Sequence, residues 1–140
     1  MNILGISAFY HDSAACLLKN GKLTAAVQEE RFSRIRHDCS FPYQSINFCL
    51  SHLNKGLQDV DWIVYYEKPL KKFQRLLSTY FKNVPFGFDF FENSVLEWVN
   101  NSIFQKQNIV EEFNNYFKYN IKNKLLFSDH HLSHASSAFF

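Results

Sequence analysis

The sequence predicts an α/β fold. Three observations carry that expectation: an opening set of short apolar segments joined by tight turns, two later apolar runs bounded by turn residues, and intervening stretches whose apolar residues recur at helical spacing. The first strand is expected over 2–8 (NILGISA). A polar connection, Phe9-Tyr10-His11-Asp12-Ser13, leads into a second strand read over 12–19 (DSAACLLK). Asn20-Gly21 is the preferred two-residue hairpin turn, and it returns the chain as a third strand over 22–28 (KLTAAVQ). The chain therefore opens as an antiparallel meander.

A charged run follows from Glu29 to Asp38. Pro42 stands where a helix can begin, and Ile46, Cys49, Leu50 and Leu53 fall on one face of it, with Gly56 as the expected stop. The continuous apolar run 61–66 (DWIVYY) has the character of a buried strand. Pro69 opens a helix whose stripe Phe73, Leu76, Leu77 and Tyr80 reads as core packing, and 83–87 (NVPFG) breaks it. Residues 88–120 read as two helical pieces, 124–128 (KLLFS) as a last buried strand, and Asp129 as the N-cap of a helix starting at His130.

Composition narrows the function. The chain has 140 residues, room for one domain, and its 46% hydrophobic content supplies a real core. Aromatic residues make up 18%, which implies thick packing or a surface meant to be covered. The formal charge of +2 gives no electrostatic case for nucleic acid or an anionic membrane. No run of about 18 apolar residues offers a membrane span. The start lacks the basic flank of a secretory signal, and three widely spaced cysteines (Cys16, Cys39, Cys49) fit a reduced, cytoplasmic protein. The last expected helix ends on Ala138, Phe139 and Phe140 without a terminating Gly, so the chain is expected to be the amino-terminal piece of a longer protein.

Three constellations carry chemistry. In Asp129-His130-His131-Leu132-Ser133-His134, His130 and His134 lie one helical turn apart, a spacing at which two neutral imidazoles can share a divalent metal; without metal they are two half-buried helix histidines. His131 points about 100° away, and the zinc-protease pattern H-E-x-x-H is not met. The turn His11-Asp12-Ser13 is of a kind whose backbone amides wrap phosphate oxygens, and Asp12 can accept a substrate proton; polar turns are also common with no such role. The run Glu29-Glu30-Arg31 with Arg34, Arg36 and His37 is either a solvated face or an anion clamp.

Taken together, Ile3-Leu4-Gly5-Ile6 with His11-Asp12-Ser13-Ala14-Ala15, Glu29-Glu30-Arg31-Phe32-Ser33-Arg34 with His37-Asp38, Tyr66-Glu67-Lys68-Pro69, and Asp129-His130-His131-Leu132-Ser133-His134-Ala135 resemble the family of nodulation and antibiotic O-carbamoyltransferases, in that family's order and across nearly the whole chain. The resemblance implies an actin-like ATPase (ribonuclease H-like) half-domain, shared with TsaD-like tRNA-modifying proteins, with the rest of that domain and a YrdC-like domain beyond residue 140. It implies an enzyme that makes carbamoyl-adenylate from ATP and carbamoyl phosphate, then passes the carbamoyl group to the hydroxyl of a small-molecule acceptor. It implies His130 and His134 as ligands of a divalent metal, iron or else zinc, with a further aspartate ligand downstream. His11 and Asp12 are the expected base, Arg36 the expected oxyanion partner, and Ser13 the expected cofactor contact. The family usually carries Lys where this chain has Arg36, which keeps the charge but replaces a point donor with a planar fork. The tRNA-modifying relatives carry an acidic residue and Gly between their histidines. This chain has Leu132-Ser133, which favours carbamoyl transfer over tRNA modification; a non-catalytic nucleotide-binding module is the remaining alternative.

Overall fold

In the computed structural model, which describes residues 1–101 and 104–136, the chain forms a mixed five-stranded sheet flanked by helices. The order along the chain is β1 (Asn2–Ser7), β2 (Ala14–Lys19), β3 (Lys22–Gln28), α1 (Glu30–Ser33), α2 (Tyr43–Leu50), a single 3-10 turn Gly56–Asp59, β4 (Trp62–Tyr65), α3 (Pro69–Asn83), α4 (Phe88–Asn101), α5 (Gln105–Phe117), β5 (Leu125–Phe127) and α6 (His130–Ser136). In space the strands run β3-β2-β1-β4-β5. The first three form the expected antiparallel meander, while β4 and β5 join parallel to β1.

Local chemistry accounts for the elements. Asn20 and Gly21 both take positive φ (52° and 78°), as the two central residues of the tightest hairpin turn must. The second strand begins at Ala14 rather than Asp12, because Asp12 sits in the left-handed region (φ 51°) and turns the chain. The helix entered at Pro42 ends at Leu50, short of Gly56, which instead opens the 3-10 turn. Pro69 occupies the first turn of α3, where its missing N–H costs nothing. The expected helix running into Phe139 and Phe140 falls partly on 137–140, outside the described residues.

The core lies on one face of the sheet. Leu4, Ile6, Leu17, Ile63 and Tyr65 are buried there against Ile46 and Cys49 of α2 and Ile109 and Phe113 of α5. Each such side chain contributes about 1.5–3 kcal/mol on leaving water. The opposite face presents Ile3, Gly5, Ala14, Cys16, Leu18 and Ala26 as a shallow trough. The stripe on α3 packs away from the sheet: Phe73 stacks on Trp98 at 4.2 Å and Tyr80 on Phe91 at 4.2 Å, so α3 and α4 form a helical hairpin. No described helix is long and apolar enough to cross a membrane.

Candidate active-site rim

Because β1, β4 and β5 are mutually parallel, and β3 is parallel to β1 through two antiparallel pairings, the carboxyl ends of all four open on one edge of the sheet. The connection 8–13, the charged run 29–38, the segment 66–68 and the start of α6 therefore share one rim, the edge at which open α/β sheets hold ligands. β1 and β5 are separated by β4 alone, which sets their ends about 10 Å apart. Direct bonds close the rim. The buried Tyr65 hydroxyl donates to the Ala8 carbonyl (2.7 Å), the Ser128 amide donates to the Tyr65 carbonyl (2.8 Å), and the Ser133 hydroxyl donates to the Tyr66 carbonyl (3.1 Å). Tyr66 stacks obliquely on His130, 5.6 Å between centroids; burial first and Glu67 second push its phenol up to about 12.

At the β1 end, Asp12 holds two histidines. Its Oδ2 lies 2.8 Å from His11 Nδ1 and its Oδ1 lies 2.9 Å from His37 Nδ1. These bonds, His37 ahead of His11, hold the Asp12 carboxyl below its ordinary 3.8. The backbone is bent to allow it. Phe9, Asp12 and His37 all take positive φ (69°, 51° and 55°), a region that costs a non-glycine residue on the order of 1 kcal/mol or more. Ladder-like bonds maintain the bend: Phe9 N–H to Cys39 O (3.0 Å), Ser13 N–H to Asp38 O (2.8 Å) and Glu29 N–H to Ser13 O (2.8 Å). Asp38, itself buried, accepts from the Ser40 amide at 2.9 Å, and the Ser33 and Ser40 hydroxyls draw its carboxyl down. Ser13 is fully buried, with its amide engaged by Asp38 and its hydroxyl without a hydrogen-bond partner among the described residues. Arg36 is exposed beside His37 and makes no ion pair with a described residue.

At the β5 end, His130 and His134 face one another with their Nε2 atoms 3.1 Å apart. Two nitrogens each about 2.1 Å from a shared ion lie roughly 3.0–3.4 Å apart, so the pair fits a divalent metal as two of its ligands. His130 Nδ1 is buried without a hydrogen bond and has the Glu67 carboxylate 4.0 Å away, a group placed to orient the ring from behind. Among the described residues no cluster of three or more His, Cys, Asp or Glu side chains could hold a metal, so the rim supplies this pair and no third ligand of its own. His131 turns aside, as its position on the helix requires, to meet Arg75 at 2.5 Å. Asp129 accepts from Lys71 (2.8 Å) and Lys68 (3.4 Å), which lower its carboxyl, and these groups line a groove of about 420 Å³ between α3 and α6.

Two residues have contacts here that the sequence did not foretell. His37 reads as one charge in a run, yet it lies against Asp12, 25 positions away. Glu29 reads as part of a solvated face, yet it is 1% exposed and accepts from the Gln44 amide (3.1 Å), the Ser45 amide (2.8 Å) and the Ser45 hydroxyl (2.6 Å). The signal available for Glu29 was the absence of a polar cap ahead of Tyr43: Pro42 leaves the first amides of α2 to be met from elsewhere.

Comparison with known proteins identifies the family. The model of the carbamoyltransferase N-terminus matches residues 2–140. A protein of Synechocystis sp., named as uncharacterized protein sll1178, is 48% identical over 141 residues, covering 99% of this chain and 23% of its own. Nodulation protein NolNO of Sinorhizobium fredii is 33% identical over 137 residues, covering 95% of this chain and 18% of its own. An uncharacterized 19.2 kDa protein of Rhizobium etli is 42% identical over 60 residues, covering 43% of this chain and 35% of its own. The chain thus spans less than a quarter of the length of the first two. A family match over almost every residue, together with these relatives, places the chain in the carbamoyltransferase N-terminal domain family.

Proposed function

We propose that the chain is the amino-terminal part of an ATP-dependent O-carbamoyltransferase built on an actin-like half-domain, which moves a carbamoyl group from carbamoyl phosphate through carbamoyl-adenylate to the hydroxyl of a small-molecule acceptor in the cytoplasm. The observation that carries this reading is the shared rim: motifs from both ends of the chain, the His11–Asp12 turn and the His130–His134 pair, meet at one edge of the sheet. Transfer needs both, a base for the acceptor and charge neutralisation for the departing nucleotide.

Asp12 accepts from His11 Nδ1, which fixes the tautomer with an unprotonated Nε2 directed away from the carboxylate. That Nε2 takes the acceptor hydroxyl's proton as the acceptor oxygen bonds to the carbamoyl carbon. The bond from that carbon to the adenylate phosphate oxygen breaks, and AMP leaves with the electron pair. Arg36 stabilises charge on the carbamoyl oxygen. The turn closed by Ser13 presents its surroundings to the phosphate. His130 and His134 would hold the metal, iron or zinc, with Glu67 orienting His130; when bound, the metal would neutralise charge on the phosphate. A YrdC-like domain further along the same full-length chain forms the adenylate.

The test uses the full-length protein that contains this segment, with ATP, carbamoyl phosphate and a panel of sugar, aminoglycoside and macrolide hydroxyl compounds. The reading expects AMP release that requires carbamoyl phosphate, and a product heavier by one carbamoyl group. His11→Ala abolishes transfer, and His130→Ala with His134→Ala removes bound metal by elemental analysis. Absence of carbamoyl-phosphate-dependent AMP release, or full transfer by His11→Ala, refutes it.

A further inference from the structure

We infer that His37 is a positioning residue of the same site: it shares Asp12 with His11, and so holds the carboxylate in the one orientation that presents the His11 ring to the acceptor. This rests on the reading of His11 as the base. The carboxylate of Asp12 has two oxygens, and each is taken by a different imidazole, 2.8 Å to His11 and 2.9 Å to His37. A carboxylate anchored through one oxygen alone can swing about its Cβ–Cγ bond. Anchored through both, it cannot turn without breaking a charge-assisted bond. Since the carboxylate only accepts, both rings donate from Nδ1, and a neutral ring held in this way has Nε2 as its acceptor.

The investment of backbone in His37 sets it apart from an incidental surface contact. Its φ of 55° is one that a β-carbon resists, and the chain is held there from several sides. The His37 amide donates to Glu30 on α1 (3.3 Å), Asp38 O accepts from the Ser13 amide, and Cys39 O accepts from the Phe9 amide. The charged and titratable groups around the pair are Glu30 on α1, Arg36 and Asp38 beside His37, and Tyr10, whose ring lies 4.5 Å from that of His11. Glu30, Arg36 and Asp38 do not take the place of His37 at an Asp12 oxygen. Strain at an exposed residue, sustained by bonds on both sides, is the pattern of a functional constraint.

The test compares His37→Ala and His37→Asn in the full-length protein. Asn tolerates the left-handed backbone and carries an N–H₂ that can reach the Asp12 oxygen; Ala supplies neither. The expected result is a loss of about 10–100-fold in kcat for His37→Ala, the range typical of outer orienting groups, with KM for the acceptor unchanged. His37→Asn restores most of it. In ¹⁵N-edited spectra, His11 is a single Nδ1–H tautomer in the parent and in His37→Asn and a mixture in His37→Ala. His37→Ala with parental kcat and an unmixed His11 tautomer overturns the inference while leaving His11 as the base. Parental turnover by His11→Ala overturns the underlying reading, and this inference with it.

Discussion

Removing the carboxylate of Glu29 should release the front of α2. The helix is entered from Pro42, which brings no side-chain cap, and its second and third amides, Gln44 and Ser45, both donate to Glu29. Glu29 thus does the work of an N-cap from the end of a neighbouring strand, where its charge also faces the positive end of the helix dipole. Loss of a cap costs about 0.5–2 kcal/mol. The Ser45 hydroxyl, 2.6 Å from the carboxylate on a fully buried residue, is left unsatisfied at a further cost of about 1–3 kcal/mol. Glu29→Ala is therefore expected to lower the local opening free energy by about 3–4 kcal/mol, against which Glu29→Gln, keeping one acceptor, loses roughly 2. At about 1.4 kcal/mol per tenfold, amide exchange at Gln44 and Ser45 should quicken by on the order of 10²–10³-fold in Glu29→Ala, read by hydrogen–deuterium exchange on the full-length protein. Unchanged exchange at both amides would show that the carboxylate does not cap the helix and that this reasoning is wrong.

Three further outcomes are expected. A β-carbon on Gly5 would lie 2.7 Å from Cys16 Sγ, so Gly5→Ala should destabilise by about 1–3 kcal/mol, and Cys16→Ala in the same chain should restore most of it in thermal melts. Cys39 is exposed, whereas Cys49 is fully buried with its thiol pushed up to about 11 by burial; a maleimide at pH 7.5 should label Cys39 within minutes and Cys49 only after denaturant is added, as peptide mass mapping would reveal. The Asp38 carboxyl is held below its ordinary 3.8 by serine bonds, so it contributes stability that is present above about pH 4 and lost as pH falls through the lowered value. Asp38→Asn should lower the melting temperature at pH 7 and flatten its fall below pH 4; an equal fall in both proteins would contradict this.

Much of the sheet was legible because its signals are local. Asn20-Gly21 fixes a hairpin by backbone conformation alone, and the Pro residues at 42 and 69 fix helix starts by a missing donor. The strands at 62–65 and 125–127 were visible as apolar runs, but not the parallel pairing of the first with β1 and of the second with the first, because each joins segments far apart in the chain. The His130–His134 pair was legible because both residues lie on one turn of one helix. The Asp12–His37 and Glu29–Ser45 contacts were not, since each joins residues brought together only by the turn at 34–39 and by the docking of α2. Positive φ at Phe9, Asp12 and His37 has no sequence mark where Gly is absent.

The chain leaves the sheet at Tyr65, the carboxyl end of β4, and returns on the adjacent parallel strand at Leu125, so everything between is a crossover that runs from one edge of the sheet to the other. Its inner parts are tied down, by Asp129 reaching Lys68 and Lys71 and by α5 burying Ile109 and Phe113, while its outer bend carries Phe81, Phe86 and Phe90 in the open. Lengthening or trimming that outer bend would leave both anchor points where they are. A protein engineer could accordingly resize this arm, or splice a reporter into it, with the strand ends left as they are.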